Sequence, residues 1–94
     1  MTTRLVQTTR GYLRSAARLG VEGTSAGRKL GRTINAVAAA STLPGSGDGV
    51  GIMPPSVTAW VRRVPGAALW LWYTFTDETL TLRALTDTPP PPPL

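Results

Sequence analysis

The sequence predicts an α+β fold, an N-terminal αα-hairpin packed on a small antiparallel β-meander. Three observations carry this. Residues 57–86 read as VTAWVRRV, PG, AALWLWYTFT, DE and TLTLRALT, three runs of β-branched, aromatic and leucine residues separated by turn dipeptides. Residues 10–40 change to a helical period. Between them, residues 41–56 carry four Gly and three Pro, a composition in which no periodic element is expected, so this stretch reads as a long loop.

Taken in order, residues 1–9, with Leu5 and Val6 at the centre, suit either a first strand that joins the sheet late or a frayed tail. Residues 10–19 form a short helix, with Tyr12, Leu13, Ala16, Ala17 and Leu19 to one side and Gly20 as its stop. Arg10, Arg14 and Arg18 recur every four residues and so line up as a basic stripe. The stripe is an anion-binding edge or simply a solvated helix face. Thr24 or Ser25 caps the second helix, over residues 26–40, which puts Ala26, Leu30, Ile34 and Val37 on one stripe with Arg28, Arg32 and Asn35 opposite. Gly27 and Gly31 cost this helix about 1 kcal/mol each relative to Ala, and their spacing would admit a neighbouring helix closely. In the meander, Pro65-Gly66 suits a type II turn. Asp77-Glu78 makes a second two-residue break without the Gly of a primed turn. Residues 1–88 then form a single domain, and residues 89–94 a polyproline tail, a PPII rod that binds an aromatic groove or merely stops the last strand from recruiting another chain.

Composition narrows the chemistry. The 94 residues contain no Cys and no His, which removes disulfides, thiolate metal sites, the usual zinc ligand and the commonest general base. No metal or cofactor is expected, and any catalysis would rest on Arg, Lys, Tyr or the five carboxylates. The formal charge is +5 and unevenly placed: residues 1–40 hold seven of the ten cations and one acid, Glu22. A basic half of this kind attracts nucleic acid, anionic lipid or an acidic protein segment. No run approaches the roughly 20 apolar residues of a membrane span, so no membrane partner is expected. The glycines of residues 45–51 lack the Lys-Ser/Thr of a phosphate loop.

Period-2 alternation sorts the meander. Leu69, Leu71, Tyr73 and Phe75 point one way, and Trp70, Trp72, Thr74 and Thr76 the other. Trp60 shares a face with Arg62, and Val61 with Arg63. A register that sets Trp60 and Arg62 beside Trp70 and Trp72 gives three indoles around a guanidinium, a face able to stack bases or bind a partner's helix. The alternative packs Trp70 and Trp72 on the helices and leaves the Leu/Tyr/Phe side partly exposed. The middle strand is apolar on both faces and two helices cover only one, so the other needs a strand curl, the loop or a second chain as cover.

The order strand, helix, helix, connector and three-stranded meander resembles the RelE/ParE superfamily of small toxins from bacterial toxin–antitoxin pairs. The most specific stretch is residues 61–85, VRRVPGAALWLWYTFTDETLTLRAL, in which Tyr73 and Asp77-Glu78 match the family pattern. Trp70 stands where the family usually carries Arg. Prolines stand where its ribosome-dependent nucleases carry Arg and Tyr. The resemblance implies a cytoplasmic growth inhibitor that binds nucleic acid, ribosome or gyrase and is neutralised by a cognate antitoxin. It makes Arg62, Arg63 and Tyr73 the candidates for any catalytic role, within a non-enzymatic or catalytically degenerate member. Target binding would fall to Arg10, Arg14, Arg18, Trp60, Arg62, Arg63 and Arg83, and partner binding to Trp70 and Trp72. Two alternatives remain: a non-toxic basic nucleic-acid-binding module, and an organelle-targeted precursor whose residues 1–40, Arg-rich and acid-poor with Ala38, Ala39 and Ala40 at the end, form a transit segment.

Overall fold

A computed structural model of the chain describes residues 3–54 and 56–91. The elements are β1 (Leu5–Thr8), α1 (Arg10–Leu19), α2 (Ser25–Ala39), β2 (Gly49–Met53), β3 (Val57–Arg63), β4 (Trp70–Phe75) and β5 (Thr79–Thr86). The fold is α+β. The strands form one five-stranded sheet in the order β1-β5-β4-β3-β2. Strands β2 to β5 pair antiparallel, whereas β1 lies parallel to β5, so the sheet is mixed. Among the described residues no helix is long and apolar enough to cross a membrane. The last three residues of the expected polyproline rod lie outside the described residues.

Residues 5–8 form a strand although every one of them is exposed. Their hold comes from the flanks. Arg4 is only 8% exposed. Its Nε and Nη1 donate to the carbonyls of Thr76 and Ala40 at 2.8 and 2.6 Å, and its guanidinium lies over the Phe75 ring. On the other flank, Thr9 caps α1 by accepting from the Tyr12 N–H, while its hydroxyl donates to the Leu82 carbonyl. Helix α1 ends at Gly20, in the left-handed region at φ 62°, whose N–H reaches the carbonyls of Ala16 and Ala17. Thr24 caps α2 by accepting from the Gly27 N–H.

Both helices contribute to one core on one face of the sheet. Tyr12, Leu30 and Val37 meet Leu71, Tyr73, Leu80, Leu82 and Leu85 there, with Ala16, Leu19, Ala26, Ile34 and Phe75 at the margins. Leu13, expected on the apolar side of α1, is exposed instead. The paired glycines of α2 do not serve a helix–helix approach. A Cβ at Gly27 would sit 2.1 Å from the Val21 carbonyl oxygen, so that glycine admits the α1–α2 connector, and a Cβ at Gly31 would meet nothing.

The Gly- and Pro-rich stretch is not all loop, because β2 lies inside it. Its Gly-Val-Gly-Ile-Met alternates correctly for a strand. Gly51 is required by packing, since a Cβ there would fall 2.2 Å from Cζ3 of Trp72. The Pro65-Gly66 turn forms as expected, with Gly66 at φ 77° and the Ala67 N–H donating to the Val64 carbonyl. Residues 67–69 belong to this connection, and β4 starts only at Trp70. At Asp77-Glu78, where no Gly is available, the Thr76 hydroxyl oxygen accepts from the N–H groups of Glu78 and Thr79 and closes the turn.

Candidate functional site

Adjacent arginines at the end of β3 go to opposite sides of the sheet, and this divides the predicted site. Arg62 pairs with Leu71 in the register and so lies on the helix side. There its Nε and Nη2 donate to the two oxygens of Asp48 at 2.7 and 2.9 Å. The Asp48 side chain is 2% exposed. It also accepts from the Gly45 N–H at 2.9 Å and from the Tyr73 hydroxyl. Burial alone would raise the Asp48 carboxyl, but the hydrogen bonds from Arg62, Tyr73 and Gly45 outweigh it and hold the group below its ordinary range. Tyr73 is pushed well above the ordinary phenol by its burial and by its bond to the Asp48 carboxylate. Arg62 is raised in turn, chiefly by its hydrogen bonds to Asp48. Of the catalytic candidates, then, Arg62 and Tyr73 hold residues 45–48 onto the sheet. Tyr73 is fully buried, with its proton committed to Asp48.

Among the described residues, the other side of the sheet carries no helix. Here Arg63 is exposed, with its guanidinium 5.8 Å from the centre of the half-buried Trp70 ring. The expected cation–π contact of Arg62 is thus made by its neighbour. Arg83 joins the same face through a β-bulge. Trp72 pairs with Ala84 and Tyr73 with Leu82, leaving Arg83 as an extra residue opposite no partner. The bulge lets Leu82 and Leu85 both stay buried toward the helices while Arg83 and Ala84 turn outward. Arg83 is then steadied by its Nε donating to Thr74 Oγ1 at 3.0 Å. The sequence signal for this bulge is the spacing Leu80, Leu82, Leu85, which breaks the period of two.

Neither expectation about the indoles holds. Trp60 pairs with Tyr73 and packs against the helix-side core, so no face carries three indoles. Trp70 and Trp72 lie away from the helices, so they do not pack on them either. Trp72 is 7% exposed on a side that no helix covers. It packs with Ala59 and Val61, flanked by Met53, Trp70 and Ala84. Its Nε1 donates to Thr86 Oγ1 at 3.1 Å. The second face of the middle strand is therefore closed by its own indole lying over glycine and alanine, and the need for a second chain as cover loses its premise there.

Arg10, Arg14 and Arg18 are exposed on the outer side of α1, in the helical layer and away from Arg63 and Arg83. Successive members rise about 6 Å along the helix axis. Among the described residues the one ion pair is Arg62–Asp48, so neither the stripe nor the open-face pair has a carboxylate at contact distance. The structure thus gathers Arg63, Trp70 and Arg83 on one exposed face, sets the α1 stripe on a second surface, and places Arg62, Tyr73, Trp60 and Trp72 in the framework. What the open face offers chemically is positive charge and a ring to stack on. Comparison of the chain with protein-family models, with curated proteins and with solved structures finds no match.

Proposed function

We propose that this chain is the toxin of a toxin–antitoxin pair, similar to the RelE/ParE superfamily, acting in the cytoplasm on a macromolecular target of translation or replication. A cognate antitoxin holds it inactive. The observation that carries the reading is the open sheet face, where Arg63 lies over Trp70 and Arg83 stands further along the same face beside Thr74, with no carboxylate in contact among the described residues. A target rich in phosphate would meet guanidinium groups that need not first release a carboxylate. The succession of strand, two helices and antiparallel strands adds support. The face acts by binding, since it supplies charge and stacking but no evident group to move a proton.

The test is growth on induced expression, with and without the adjacent reading frame. Arrest that the neighbour relieves is the expected result. R63A/R83A should abolish arrest while costing no more than about 0.5 kcal/mol of stability per site. Unimpaired growth with a folded, soluble protein would remove the toxin reading.

A second reading, a non-toxic basic nucleic-acid module, is favoured by the α1 stripe. Binding through Arg10, Arg14 and Arg18 would weaken steeply with salt, and each Arg→Ala change should reduce the log–log salt slope by about 1. A transit-segment reading of residues 1–40 finds less support, because Tyr12, Leu30 and Val37 supply the helix side of the core.

A further inference from the structure

Strand β2 is an edge of the sheet, with β3 on one side and, among the described residues, no strand on the other. Among the described residues, no backbone hydrogen bond outside the β2–β3 ladder reaches residues 49–53. Sheet edges are usually blunted by a charge, a proline or a bulge. Gly-Val-Gly-Ile-Met contains none of these, and Pro54 comes only after it. Its two branched side chains are bare, Val50 at 46% and Ile52 at 72% exposure. They stand two residues apart and so project from the same face.

We propose that β2 is a self-association edge, at which two copies of this chain pair antiparallel about a two-fold axis at Gly51. Three features select a second copy. First, pairing centred on Gly51 sets Val50 of each copy opposite Ile52 of the other, so both bare side chains find apolar partners at once. Secondly, none of the ten cations falls in residues 41–56. The only charge there, Asp48, is already neutralised by Arg62. Two copies, each of net charge +5, therefore meet with least repulsion along this edge. Thirdly, the opposite edge lacks the pattern. In β1 the apolar Leu5 and Val6 are consecutive and so face opposite ways, and Arg4 ties its start to α2 through the Ala38 carbonyl. Pairing of one short strand buries less than a standard interface, so the dimer is weak and depends on concentration. The proposal is independent of the toxin reading.

The experiment is sedimentation equilibrium of the full chain up to roughly 1 mM, the range of weak complexes. Wild type is expected to dimerise. I52K should weaken the dimer by about tenfold or more by removing both apolar pairs and adding charge at the edge. Adding V50E to I52K sets an acid opposite a base on each side of the axis, and should restore a dimer that salt weakens. Ile52 is mostly solvent-exposed, so circular dichroism should show the variants folded; should I52K fail to fold, V50K reads the same edge. A wild type that stays monomeric throughout, a dimer indifferent to I52K, or a double variant that remains monomeric would each overturn the proposal.

Discussion

The two faces of this sheet are closed by different means. The helix side is conventional, with leucines and valines from α2, β4 and β5 forming one buried cluster and a carboxylate–guanidinium–phenol network at its margin. Among the described residues the open side has no covering element. It is sealed locally by a single indole, Trp72, laid across Gly51 and Ala59, while the surface around it keeps Arg63, Trp70 and Arg83 accessible. The contrast teaches that an apolar strand need not imply a missing partner. One large side chain over two small ones does locally what a helix does broadly, and leaves the rest of the face uncovered.

The largest test of this contrast is W72A. It should cost about 4 kcal/mol, the usual loss for a buried aromatic, because nothing above the sheet can collapse into the gap. Urea unfolding reads it, and a loss under about 1 kcal/mol would mean that the open side needs no seal. R62A comes next, at about 3 kcal/mol, because it leaves Asp48 buried without its cation. A variant that melts like wild type would show the network to be decorative. G51V should cost about 2 kcal/mol, since the new side chain and the Trp72 ring compete for one space. An unchanged midpoint would mean that the indole lies elsewhere.

The pH profile follows from Asp48. Its folded pKa lies below its unfolded one, so the stabilisation is complete above the ordinary carboxylate range, near pH ~4, and is lost as the pH falls through the folded value. Tyr73 runs the other way. Its raised pKa gives stabilisation that is complete below pH ~10 and is lost as the pH rises. An acid limb of stability that is the same in D48N as in wild type would detach the acid sensitivity from this network. Smallest in stability is R63A/R83A. Both side chains lie on the open face, so the change should stay within about 0.5 kcal/mol per site while function is lost.

The helices were legible because their signals are local. Thr24 and Gly20 mark ends, and Leu30 with Val37 shows the buried stripe. The three long strands were legible for the same reason, from run length and turn residues. Strand β2 was not, since its glycines read as breakers until Trp72 is seen to need the space above Gly51. The division of the site was hidden in another way. Alternation correctly separates Arg62 from Arg63, but only the cross-strand register tells which of them faces the helices. The bulge at Arg83 could have been found from the leucine spacing of β5. Trp60 sits with Tyr73 rather than with Trp70 and Trp72, a placement alternation cannot show because register between strands is not fixed by either strand alone.

The parallel pairing of β1 with β5 has a consequence for how the molecule is made. The Thr9 hydroxyl reaches a carbonyl 73 positions later in the chain, and Arg4 reaches one 72 positions later. During synthesis β1 emerges before its seat on β5 has been translated. The helices and β2 to β4 can gather beforehand. The sheet is finished only when the two ends of the domain meet, a non-local closure that slows folding and couples the first residues to the last ones in any truncation.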